Sequence, residues 1–252
     1  SKVAEPRELS FYNQGEKFPS VFISSIETSI QKVMAPILSR EQEDVPRVLD
    51  LTRKSMRVAT FTIWPLLIGL AAVAKSLIEL LYTAKWMGSV PYLKLICIAY
   101  MFYPVAETQV RTIRALGRSD VAMRTIFCTE TLNIALLVVA IVFELGGKGI
   151  VVSWIVSSIA MAVLNGFADY KMTGYKAGDQ VKDLLFTGIC CTIMYFAVNS
   201  LSRLQMSLLL KVILQIIVGA AVYVASSFAF NKKSMIYVYG TGKSFLQRFW
   251  TK

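Results

Sequence analysis

The chain contains no histidine. That excludes imidazole general-base catalysis, Ser-His-Asp and Cys-His triads, and His-ligated metal sites. Charge is scarce too: Asp, Glu, Lys and Arg make up 17% of 252 residues, where a soluble domain carries about 25%. Apolar residues supply 55% and the mean hydropathy is +0.55, so an aqueous globule is excluded and a membrane protein expected. The four cysteines, Cys97, Cys128, Cys190 and Cys191, sit inside apolar runs without CxxC spacing. They predict small buried residues rather than a zinc site or a disulfide framework, and no cofactor is expected. Low-complexity tracts and short-period repeats are missing, and no signal peptide is visible.

What is present is a series of apolar runs. Crossing a bilayer takes about 20 mostly apolar residues in a helix, which satisfies its own backbone hydrogen bonds. Six segments qualify: residues 59–82, 91–110, 121–143, 150–168, 184–201 and 208–230. A seventh, residues 20–38, sets apolar Phe22, Ile26, Ile30, Val33 and Ile37 against a polar set that includes Ser24, Glu27, Thr28 and Gln31, each at helical spacing. It reads either as a helix lying in the interface or as a spanning helix whose polar stripe faces a water-filled cavity. The distribution of Lys and Arg decides between them. Arg40, Arg47, Arg53, Lys54 and Arg57 follow the seventh segment; Arg111, Arg114, Arg118 and Arg124 occupy the third connection; Lys171, Lys176 and Lys182 the fifth; and Lys232, Lys233, Lys243, Arg248 and Lys252 the tail. The intervening loops hold only Lys85, Lys148 and Arg203. This alternation requires residues 20–38 to cross. The net charge of +11 is then explained as topology and contact with anionic lipid, not as a nucleic-acid surface. The expectation is an all-α polytopic bundle of about seven spans.

Punctuation divides the chain further. Prolines interrupt the first three spans at Pro36, Pro65 and Pro104, either as packing kinks or as features of rocking helices. A polar connection over residues 169–182 sets the last two spans apart from the first five. The organisation expected is a leader at 1–17 on the outer face or the end of a helix lying upstream, a five-span unit at 18–168, a cytoplasmic connection at 169–182, a further helix pair at 183–230 and a basic cytoplasmic tail at 231–252. A short outer leader needs something upstream to place it there, so the chain reads as a fragment. The sequence Gly240-Thr241-Gly242-Lys243-Ser244 ends like a phosphate-binding loop, but Tyr237 stands where that motif requires glycine, so nucleotide hydrolysis is not indicated.

Ionisable groups at membrane depth are costly unless paired or hydrated, and therefore mark candidate sites. Glu27 and Gln31 share one face of the first span with Thr28, while Lys32 lies about 140° round the helix from Glu27. Glu107 with Arg111 and Arg114 forms a ladder at the cytoplasmic end of the third span, either a salt-bridged helix end or part of a substrate path. Glu130 and Asn133 are one turn apart in the fourth span, suited to an interhelical contact or to a cavity wall.

Two stretches carry a family resemblance. LSFYNQG at 9–15 leads into VMAPILS at 33–39; LLYTAKW at 80–86 leads into SVPYL at 89–93 and ALGRSD at 115–120. Together they resemble the second half of a Wzx-type polysaccharide flippase of the MOP superfamily, near the colanic-acid and teichuronic-acid exporters. The resemblance implies two pseudo-symmetric six-helix lobes of the kind seen in MATE and MurJ transporters, plus two extra C-terminal helices. This chain would supply the second lobe from its eighth helix onward, leaving a first lobe outside it. It implies movement of undecaprenyl-pyrophosphate-linked oligosaccharide repeat units from the cytoplasmic to the periplasmic leaflet by alternating access, in the bacterial inner membrane and without enzymatic chemistry. Exopolysaccharide, capsule and lipopolysaccharide biosynthesis are the settings, and membrane lipid and polysaccharide polymerase or assembly proteins the partners. A cation or drug exporter of the same superfamily stays open as an alternative, and a glycan polymerase or transferase as a more distant one. Onto this chain the resemblance carries a cavity role for Glu27, Thr28, Gln31 and Lys32; Glu130 and Asn133 join them as candidates from their depth. Glu107, Arg111, Arg114 and Arg118 would form a cytoplasmic mouth that attracts pyrophosphate.

Overall fold

In the computed structural model residues 6–202, 206–230 and 235 are described, and they form helices joined by short turns. Seven α-helices follow one another: α1 Pro6–Arg40, α2 Val45–Tyr82, α3 Ser89–Ala115, α4 Ser119–Val142, α5 Gly146–Thr173, α6 Ala177–Leu201 and α7 Leu208–Phe230. A single 3-10 turn, Ala84–Trp86, links α2 to α3. The boundaries have local causes. Asp44 caps α2, its carboxylate accepting from the backbone N–H of Arg47 at 3.0 Å, and Pro46 occupies the first turn, where its missing N–H costs nothing. The turn from α3 to α4 passes through Gly117 at φ 75°, and α5 stops at Gly174 at φ 76°, conformations that favour glycine.

Helices α2 to α7 are each long and apolar enough to cross a membrane. Helix α2 is the hub, touching α1, α3, α6 and α7, while α5 packs on α3 and α4. One apolar cluster joins α1, α2 and α3 through Ile23, Ile63, Leu67, Ile78 and Leu93; a second joins α2, α6 and α7 through Val73, Cys190, Met194 and Tyr223. Trp64 donates its indole N–H to the carbonyl of Met101 at 2.8 Å and so ties α2 to α3.

Helix α1 is too polar to count as a span by composition, yet it runs the depth of the bundle beside α3. Glu8 accepts from the backbone N–H of Gly147 at the start of α5 (3.0 Å), and Glu27 meets Arg111 near the far end of α3 (3.0 Å). Nineteen residues at ~1.5 Å each cover about 28 Å, close to the ~30 Å hydrocarbon core. The seven-helix layout therefore holds, with α1 as its polar member.

Three expectations need correction. Residues 6–17 are the first turns of α1 rather than a separate leader: Phe11 sits edge-on to Trp86 at 6.1 Å, and Gly15 lies against the backbone of Leu93. Most of the connection at 169–182 is helical. Asp169, Thr173 and Gln180, with Asp183 just beyond, turn inward and are buried while the lysines stay exposed, leaving 174–176 as the link. Cys128 is exposed on α4, a helix that buries little of itself, whereas Cys97, Cys190 and Cys191 are buried. The tail at 231–252, residue 235 apart, lies outside the described residues, as does Gly240–Ser244.

Candidate functional site

The most enclosed ion pair joins α1 to α3. Arg111 donates from Nη2 to Glu27 Oε2 at 3.0 Å and to Thr108 Oγ1 at 3.4 Å. The two side chains are only 7% and 9% exposed, so each charge depends on the other for its stabilisation. The pairing arises because α1 and α3 run side by side, held close by Gly15, where a Cβ would come within 2.8 Å of the Leu93 nitrogen. Arg111 thus pairs across to α1 and not down its own helix to Glu107, which is half-buried one turn earlier. Glu27 Oε1 and Arg111 Nε keep unused hydrogen-bonding capacity.

The polar stripe of α1 divides at this point. Glu27 turns into the bundle, while Ser24, Thr28, Gln31 and Lys32 are exposed. The Ser24 and Thr28 hydroxyls bond back to the carbonyls of Val21 and Ser24, at 3.2 and 2.6 Å, but the stripe as a whole has no helix laid over it among the described residues. On α4, Glu130 is exposed, and Asn133 accepts from Ser157 Oγ of α5 at 3.3 Å, which makes it an interhelical contact. The arginines expected at the cytoplasmic mouth also separate. Arg111 is buried, Arg118 is exposed and bonds Asp120 at 3.1 Å, and Arg114 is exposed.

A second polar centre was missed in the sequence. Asp183 of α6, its side chain 5% exposed, accepts from Arg53 Nε at 3.0 Å, from Arg57 Nη2, and from the Tyr175 hydroxyl at 2.6 Å. Burial, followed by the bond to Asp183, pushes the Tyr175 phenol up, so it stays protonated and donates. Arg53 lies over the Tyr175 ring at 5.4 Å. Beside this centre Gln109 donates to Gln180 at 2.9 Å, through space left by Gly166. The i, i+4 spacing of Arg53 and Arg57 was the available signal, but a cytoplasmic basic loop accounts for it equally well. No group of three or more His, Cys, Asp or Glu side chains among the described residues is placed to hold a metal ion.

Residues 1–91 match the family model described as "Polysaccharide biosynthesis protein". An uncharacterized membrane protein in the cps region of Klebsiella pneumoniae is 26% identical over 236 residues, covering 88% of this chain and 46% of that protein. The teichuronic acid biosynthesis protein TuaB of Bacillus subtilis (strain 168) is 23% identical over 114 residues, 45% of this chain and 24% of TuaB. Among solved structures, the lipid II flippase MurJ in an inward closed conformation superposes with a TM-score of 0.74 at 18% identity, covering 90% of this chain and 48% of MurJ. The chain is thus similar to polysaccharide biosynthesis proteins over its first 91 residues and to MurJ in fold. The chain spans about half the length, or less, of the curated relatives it matches. By the length and composition of α2 to α7 it is a multi-pass membrane protein, and its fold is MurJ-like.

Proposed function

We propose that this chain forms one lobe of a flippase that moves lipid-linked oligosaccharide repeat units from the cytoplasmic to the periplasmic leaflet by alternating access. In this reading it makes and breaks no covalent bond. The observation that carries the reading is the exposed stripe Ser24, Thr28, Gln31 and Lys32 at membrane depth on α1. Hydrocarbon would penalise such a stripe. A hydrated cavity shared with a second lobe would not, and polar groups there suit a glycan and its pyrophosphate. The Glu27–Arg111 pair fixes the rotation of α1 so that the stripe faces outward from α3. The kinship to polysaccharide biosynthesis proteins and the MurJ-like fold support the same reading.

The test uses the whole gene product in its own host. Deleting the gene should lower surface polysaccharide and leave lipid-linked repeat units on the cytoplasmic leaflet. The wild-type gene should restore export, and a Thr28→Leu, Gln31→Leu double variant should fail to, at equal protein levels. Full export by that variant would overturn the cavity role of α1. Unaltered polysaccharide with greater sensitivity to cationic dyes in the deletion strain would favour a small-molecule exporter instead.

A further inference from the structure

We propose that the cleft between α2 and α6 is a binding site for one anionic phospholipid of the cytoplasmic leaflet, its phosphate on Arg53 and Arg57 and an acyl chain in the apolar groove beyond them. Neither arginine belongs to the cavity stripe described above. Both are held in place by the buried Asp183 and remain about one third exposed (36% and 34%), so they present ordered donors to the surface. Two guanidinium groups against one carboxylate leave a net charge of one, with Tyr175 neutral. At the same end of α6, Lys176, Asp179 and Lys182 add a further net positive charge. The two ordered arginines suit a phosphodiester, and the experiment below separates a membrane phospholipid from a polyprenyl diphosphate.

The groove starts where the arginines end. Arg53, Arg57, Trp64 and Ile68 fall on one face of α2, since steps of four, eleven and fifteen residues at ~100° each return to within about 60° of the start. Trp64 and Ile68 line a cavity of about 580 Å³ together with Met101 of α3 and Leu184, Gly188 and Ile189 of α6. Its α6 wall runs from residue 181 to residue 193. Twelve steps at ~1.5 Å make about 18 Å, roughly one leaflet of a ~30 Å core. Leu185 and Ile189 along that wall are exposed, so the groove is open from the side. Gly188 forms its floor: a Cβ there would meet the Trp64 ring at 3.6 Å, and any larger side chain would occupy the groove itself. Cationic head, apolar trough and single-leaflet length together describe an amphiphile with an anionic head.

Trp64 reports occupancy directly. The whole gene product would be reconstituted in phosphatidylcholine vesicles containing 20 mol% dioleoylphosphatidylglycerol with brominated acyl chains, or brominated phosphatidylcholine as the zwitterionic control, and the Trp64 component of quenching taken by difference from Trp64→Phe. The brominated phosphatidylglycerol should quench that component more strongly than the control. Arg57→Gln should weaken the preference about fivefold, the share of one basic residue at a membrane surface. Gly188→Leu, which leaves Asp183 and both arginines untouched, should abolish the quenching of Trp64 by either lipid. Equal quenching by the two lipids, or an unchanged preference in Arg57→Gln, would overturn the proposal. So would stoichiometric displacement of the phosphatidylglycerol by undecaprenyl diphosphate, which would give the site to the polyprenyl lipid. Transport is not read in this experiment, so its failure would leave the flippase reading standing.

Discussion

Removing one partner of the Glu27–Arg111 pair should cost far more than removing both. At 3.0 Å and an effective dielectric constant of about 20, the attraction between two unit charges is about 5 to 6 kcal/mol. Much of that offsets the desolvation of two groups that are each less than a tenth exposed. Glu27→Gln leaves a buried guanidinium without its counter-charge, and Arg111→Gln a buried carboxylate; each should lower stability by about 3 to 5 kcal/mol. In the double variant two neutral amides face each other and can hydrogen-bond, so the combined loss should be no greater than either single loss. The assay is a double-mutant cycle on the purified protein in mixed micelles, with unfolding followed by tryptophan fluorescence as the denaturing detergent fraction rises. A coupling energy of at least about 2 kcal/mol is expected. Additivity within about 0.5 kcal/mol would refute the idea that these charges hold α1 against α3, because independent sites behave that way.

Two further outcomes follow from the same contacts. Gly15→Ala should lower stability by about 1 to 3 kcal/mol, because its methyl group would meet the rigid backbone of Leu93 at 2.8 Å; the same micelle unfolding measures it, and an unchanged midpoint would mean that α1 can move outward without cost. Arg114→Gln with Arg118→Gln should leave the unfolding midpoint unchanged, since both side chains are exposed, while lowering export if these arginines attract the pyrophosphate; normal export at normal protein levels would remove that role.

The fold was legible where one strong term dominates. Residues 59–82 and the five apolar runs after them have to be helices at membrane depth, because hydrocarbon leaves backbone amides no other partner. Residues 20–38 were harder, and only the alternation of basic loops made them cross. That alternation missed where the helix starts. The packing of Phe11 on Trp86 and of Gly15 on α3 is a tertiary contact without a periodic signature in the leader. The connection at 169–182 looked like a loop for a related reason. Polar residues usually mark exposure, but Asp183 is buried by Arg53, Arg57 and Tyr175, partners up to 130 positions away in the chain.

The sequence by itself determined that this is a membrane protein and which family it resembles. Those properties depend on composition and local pattern, and transfer from water to lipid acts on each segment almost independently. Only the tertiary structure decided what each charged residue does. Glu27 became a tie to Arg111 while its neighbours Thr28 and Gln31 stayed exposed, and Asn133 became a contact to Ser157 while Glu130 stayed exposed. The physical reason is that a carboxylate or guanidinium at membrane depth must find a partner or water. Which of the two it finds depends on the rotation and height of the neighbouring helices.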